Sequence, residues 1–75
     1  MNEREKEVFK NFGINIRIFR EERNMTIEHL SQITGIRVDY LKKIESGTAF
    51  RLSTKHIFIF AKAFKLEPYE IVRNI

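Results

Sequence analysis

Val8, Phe9, Phe12, Ile16 and Phe19 recur at three- and four-residue steps, the spacing that gathers side chains on one face of an α-helix. They predict a first helix from about Val8 to Arg23, with residues 1–7 ahead of it as a frayed or extended segment. Asn24 ends that helix, and Thr26 stands where a side-chain oxygen accepts from the first N–H groups of a second helix, whose buried stripe is Leu30 and Ile33. Gly35 stops it, since a residue without a Cβ enters the left-handed region at little cost. Leu41 and Ile44 mark a third helix from about Val38 to Glu45, closed by Ser46 and Gly47. Thr48 to Leu52 form a loop. A fourth helix starts near Ser53 or Thr54 and turns Ile57, Phe60, Ala61 and Phe64 inward, while small Ala61 and Ala63 admit a close neighbour. Glu67 and Pro68 open a last helix, because proline is tolerated at the first helical position, and its apolar side is Ile71, Val72 and Ile75. The prediction is all-α: five helices in one domain over residues 1–75.

Within this pattern the stretch from Thr26 to Glu45 has the form of a helix-turn-helix. Gly35 is its one sharp residue, Ser31 lies four positions earlier, and Leu30 and Ile36 flank the bend. A second helix held proud of the body in this way has the shape that enters a DNA major groove.

Composition narrows the alternatives. A chain of 75 residues, 43% hydrophobic, forms one core and is too short to enclose a deep active-site cavity comfortably. With no cysteine there is neither a disulfide framework nor a thiolate metal site, so apolar packing alone must stabilise it, chiefly through seven phenylalanines. The net charge of +4 favours an anionic partner and falls unevenly. Residues 37 to 51 carry Arg37, Lys42, Lys43 and Arg51 against Asp39 and Glu45. No nucleophile stands beside a base, no glycine-rich phosphate loop occurs, and no paired carboxylates suggest a cleft, so the chain is expected not to be an enzyme. His29 and His56 fall on different helices without ligand company, which predicts surface histidines rather than a metal site. A charged N-terminus and the lack of an apolar run of about 18 residues predict a cytoplasmic protein without a membrane partner. No cofactor and no small-molecule ligand are expected.

From about Phe12 to Val72 the chain resembles the small helix-turn-helix regulators of the phage-repressor and Cro type, the XRE-like family of bacteria and phages. The likeness rests on Gly13, Ile16, Arg17, Phe19 and Arg20, on Thr26, Leu30 and Gly35, on the run from Tyr40 to Gly47, and on the run from Ala61 to Glu70. It implies a five-helix lambda-repressor-like fold and a sequence-specific, double-stranded-DNA-binding transcriptional regulator. Such a regulator is expected to act as a repressor or small controller protein, as a homodimer on a partly palindromic operator. By the same resemblance, Arg37, Val38, Asp39 and Lys43 are the candidates to face base edges, where a good contact discriminates by roughly 1–3 kcal/mol. Thr26, Ile27, Tyr40, Lys42, Thr48 and Arg51 are candidates for the backbone, with the N-terminus of the second helix on a phosphate. Arg20 and Glu45 are expected to form a structural ion pair.

Some positions carry two readings. Ile27 stands where relatives often have glutamine and offers only its main chain. Asp39 either favours the dipole of the third helix from its first turn or accepts from cytosine N4. Tyr40 either stacks on the sugar–phosphate backbone or lies over the second helix. Phe58 and Ile59 point partly outward, which implies either a wider core or a twofold contact; in the second case Phe58, Ile59, Ile71, Val72 and Ile75 are the interface candidates. A rival class is a protein-docking helix-turn-helix that does not bind DNA, because the run from Tyr40 to Glu45 is also similar to that of a bacterial cell-shape protein.

Overall fold

The computed structural model describes residues 2–74 and contains five helices in the order α1 (Glu3–Glu22), α2 (Ile27–Thr34), α3 (Val38–Ser46), α4 (Thr54–Phe64) and α5 (Pro68–Ile71). α1 begins five residues before the predicted start, and residues 3–7 are helical rather than frayed or extended. The cause is local. The Asn2 side chain accepts from the Glu5 N–H at 2.8 Å, and Glu3 and Glu5 in the first turn favour the positive end of the helix dipole. Apolar periodicity is blind to such a polar extension.

α1 and α3 form the most extensive helix pair. They meet at Gly13, where an added Cβ would lie 2.1 Å from the Ile44 carbonyl oxygen, so only glycine admits this approach. Around the crossing Phe12, Ile16, Leu30, Leu41, Ile44, Phe60, Phe64 and Ile71 form the core. Phe12 meets Phe60 edge-on at 6.0 Å between centroids, and Phe60 lies nearly parallel to Phe64 at 6.1 Å. Burying each such ring contributes roughly 1.5–3 kcal/mol.

Two predicted apolar positions sit differently. Ile33, expected beside Leu30 in the buried stripe of α2, is 45% exposed, because only the Leu30 side of that helix faces the core and the next turn opens onto a groove towards α4. Ile71, expected on a surface available to a second copy, is 0% exposed. α5 is a single turn and commits its one fully inward residue to the core. Val72 is half-buried, and Ile75 lies outside the described residues.

Two polar clamps hold the short last helix and the end of α4. The Asn15 side-chain amide donates to the carbonyls of Ile71 (3.2 Å) and Arg73 (2.8 Å), closing α5 from α1. The Arg23 guanidinium donates to the Phe64 carbonyl at 3.1 and 3.3 Å and to that of Phe19 at 2.9 Å, while lying over both rings. Carbonyls at helix ends otherwise lack partners, and a cation favours the negative end of the dipole.

Candidate nucleic-acid interface

The helix-turn-helix is fixed by short hydrogen bonds around one glycine. Thr26 caps α2, its hydroxyl accepting from the His29 N–H at 3.0 Å. Gly35 takes φ 75° and donates to the Ser31 carbonyl at 2.8 Å. The Ser31 hydroxyl donates onward to the Ile36 carbonyl; Thr34 donates to the Leu30 carbonyl at 2.8 Å and accepts from the Ile36 N–H at 3.1 Å. An added Cβ at Gly35 would meet nothing, so backbone conformation alone selects glycine there.

Beyond the turn, α3 buries Leu41 and Ile44 and turns Arg37, Asp39, Lys42 and Lys43 to solvent, with Val38 half-buried at its start. Arg37, Asp39, Tyr40 and Lys43 line an open concavity of about 410 Å³ on this outer side. Arg37 occupies the N-cap position without a side-chain cap bond, so Asp39 is the residue of the first turn that favours the dipole, while its carboxylate also lines the concavity. Tyr40 is half-buried against the core. Its ring is tilted against His56 at 6.2 Å, which ties α3 to the start of α4. His56 in turn accepts the Ser53 N–H on Nδ1 at 3.2 Å and so helps to cap α4.

The flanks of α3 carry the remaining candidates. Ile27 is half-buried against the core, and its amide and that of Glu28 lie ahead of the first α2 ladder bond, from Leu30 N–H to the Thr26 carbonyl. Thr48 is exposed and closes α3: its N–H donates to the Lys43 carbonyl at 2.9 Å, and its hydroxyl sits 2.9 Å from that of Ser46. Arg51 is exposed on the loop that follows. That loop is pinned by buried Ala49 and by Phe50, edge-on to Phe9 at 5.4 Å.

Behind the outer face a bidentate pair joins α1 to the end of α3. Arg20 Nε and Nη2 donate to the two Glu45 carboxylate oxygens at 2.7 and 3.0 Å, and Nη1 donates to the Met25 carbonyl at 2.9 Å. Side-chain exposures of 15% and 9% make this a largely desolvated pair. The Glu45 hydrogen bond, with its charge, raises the Arg20 guanidinium above its already high range against the opposing effect of burial. Glu45 is thereby engaged internally, and the outer face of α3 displays Arg37, Lys42 and Lys43 against Asp39 alone.

Sequence reasoning did not single out Asn15, Arg23 or the capping role of His56, and it took Tyr69, which is 69% exposed on α5, only as part of the run from Ala61 to Glu70. For His56 a signal existed, since it stands three positions after Ser53 at the start of a helical pattern.

A model of the helix-turn-helix family matches residues 16–71. Among solved structures the chain is similar to the restriction-modification controller protein C.AhdI from Aeromonas hydrophila, with 27% identity, coverage of 84% of this chain and 94% of that one, and a TM-score of 0.78. No curated protein sequence matches it. Among the described residues no helix is long and apolar enough to cross a membrane. The matched segment contains the capped turn, the displayed third helix and the Arg20–Glu45 tie behind it, and the chain belongs to the helix-turn-helix family of DNA-binding transcriptional regulators.

Proposed function

We propose that two copies of this protein read the half-sites of a partly palindromic DNA operator in the cytoplasm, acting by occupancy as a repressor or small controller protein rather than as an enzyme. α3 lies in the major groove. Arg37 and Lys43 donate to guanine O6 or N7, Val38 supplies an apolar contact, and Asp39 divides its carboxylate between the helix dipole and cytosine N4. The α2 N-terminus, with the Ile27 amide beside Thr26, rests on one phosphate run; Lys42, Thr48 and Arg51 meet another. The observation that carries this reading is the concavity lined by Arg37, Asp39, Tyr40 and Lys43 on the outward side of a helix held from behind by Leu41 and Ile44. Dimerisation is supported by exposed apolar side chains on two packed helices, Phe58 at 56% and Tyr69 at 69%, with half-buried Val72 following. Ile59 belongs less well to that surface, because it lines the groove towards α2. A twofold pair of reading helices matches half-sites about one helical turn apart, roughly 34 Å.

Rounds of selection from a random duplex library, followed by sequencing, test the proposal. The expected product is an inverted repeat with guanine-containing half-sites. Selection without a consensus would contradict it and favour a docking module.

A further inference from the structure

α2 and α4 border a groove on the side of the molecule that carries Ile33. The groove between them, about 580 Å³, has Met25, Ile33, Ile59 and Ala63 as its apolar lining and Lys62 and Lys65 on its rim. Ile33 is one of the most exposed large apolar side chains among the described residues, and it points at neighbours that are themselves only half covered. An isolated exposed isoleucine on a monomer is ordinary. A cluster of them walled by two helices marks a docking surface.

Charge identifies the occupant. Both titratable groups lining the groove are lysines, and no carboxylate lines it among the described residues. α4 carries Lys55 and Lys62 and no acidic residue along its whole length, so the groove lies beside a cationic helix face. A second copy placed across a twofold axis here would set Lys62 and Lys65 against their own images, which costs association energy instead of supplying it. A partner with glutamates or aspartates flanking its apolar side chains meets both requirements at once.

We infer that the α2–α4 groove is a docking site for an acidic amphipathic helix of another protein, which seats its apolar stripe on Ile33, Ile59 and Ala63 and its carboxylates on Lys62 and Lys65. A groove with an apolar lining is a recurrent receptor for the apolar face of such a helix. The inference does not rest on the proposed operator reading. The groove shares no lining residue with the concavity of Arg37, Asp39, Tyr40 and Lys43, so a protein seated in it leaves the α3 surface open.

The test uses three fluorescein-labelled designed helices of about four turns. The first has leucines at alternating three- and four-residue steps with glutamates elsewhere; the second keeps the leucines and replaces glutamate by lysine; the third keeps the glutamates and replaces leucine by serine. In fluorescence anisotropy the first is expected to bind at least about tenfold more tightly than the other two. Ile33→Lys and the double variant Lys62→Glu/Lys65→Glu are each expected to weaken it by about tenfold or more, with circular dichroism confirming that both variants fold. Equal binding of the three helices overturns the inference, as does binding that neither variant changes. So does an absence of binding at about 1 mM helix. Sedimentation of the protein alone separates the remaining occupant, because self-association abolished by Ile33→Lys would assign the groove to a second copy.

Discussion

Gly13 and Arg20 lie one and three turns into the packed part of α1, and each holds α3 in a different way. At Gly13 helix propensity and packing give opposite signs. Alanine would be favoured by about 1 kcal/mol in an isolated helix, yet its Cβ would fall 2.1 Å from the Ile44 carbonyl and 2.9 Å from that of Glu45, backbone atoms that cannot rotate away. Gly13→Ala is therefore expected to destabilise by about 1–3 kcal/mol, and a chemical-denaturation midpoint equal to or above wild type would show that the helices part easily. At Arg20 the loss is electrostatic: truncation strands a Glu45 carboxylate that is 9% exposed and frees the Met25 carbonyl. Arg20→Ala should cost on the order of 3 kcal/mol, lowering the melting midpoint by more than about 10 °C in a domain of this size. A melt within a degree or two of wild type would mean the pair is not structural. Alkali should not imitate this mutation. A guanidinium whose folded pKa is raised contributes stability that is fully present below its unfolded value and is lost only as pH rises through the folded one, beyond the range in which lysine and tyrosine titrate.

At the scale of elements, what the sequence made legible was whatever is decided locally. Thr26, Gly35, Gly47 and Pro68 act through their own backbone or the next turn; α2 and α3 begin and end, and α5 begins, within a residue or so of where these residues put them. Choices made by distant partners were not legible. The Asn15 and Arg23 clamps reach carbonyls 56, 58 and 41 positions away, and no residue type at the receiving end announces them. Ile33 and Ile71 were misplaced for a related reason: periodicity assigns an apolar face without saying whether core, groove or partner covers it. The C-terminus of α4 holds a further local conflict. Lys65 adopts φ 58° there, a left-handed conformation that glycine takes without strain. Lys65→Gly is expected to stabilise the fold by about 0.5–1 kcal/mol; a lower denaturation midpoint would indicate that the lysine side chain makes compensating contacts at that corner.

Over the whole molecule, the cations displayed by α3 and the two most exposed aromatic rings stand on different helices. Arg37, Lys42 and Lys43 are exposed on α3 and Arg51 on the following loop, whereas Phe58 and Tyr69 are exposed on α4 and α5, which pack on each other. The proposed homodimer, formed through these rings, is expected to leave α3 uncovered. Phe58→Lys is expected to shift the sedimentation boundary from dimer towards monomer while circular dichroism still reports a folded helical domain, since the ring is 56% exposed. A dimer that persists in this variant would move the twofold contact away from α4.

Lys43 bears most closely on sequence reading by the outer face of α3, because it is exposed, lines the concavity and has no side-chain hydrogen bond or ion pair among the described residues. Binding of wild type and Lys43→Ala should be titrated against the selected operator and against single-base-pair variants of it. Lys43→Ala is expected to weaken operator binding by about 1–3 kcal/mol and to lose discrimination at one base-pair position in each half-site. An unchanged affinity, or a uniform loss across every duplex with discrimination intact, would contradict sequence reading by α3.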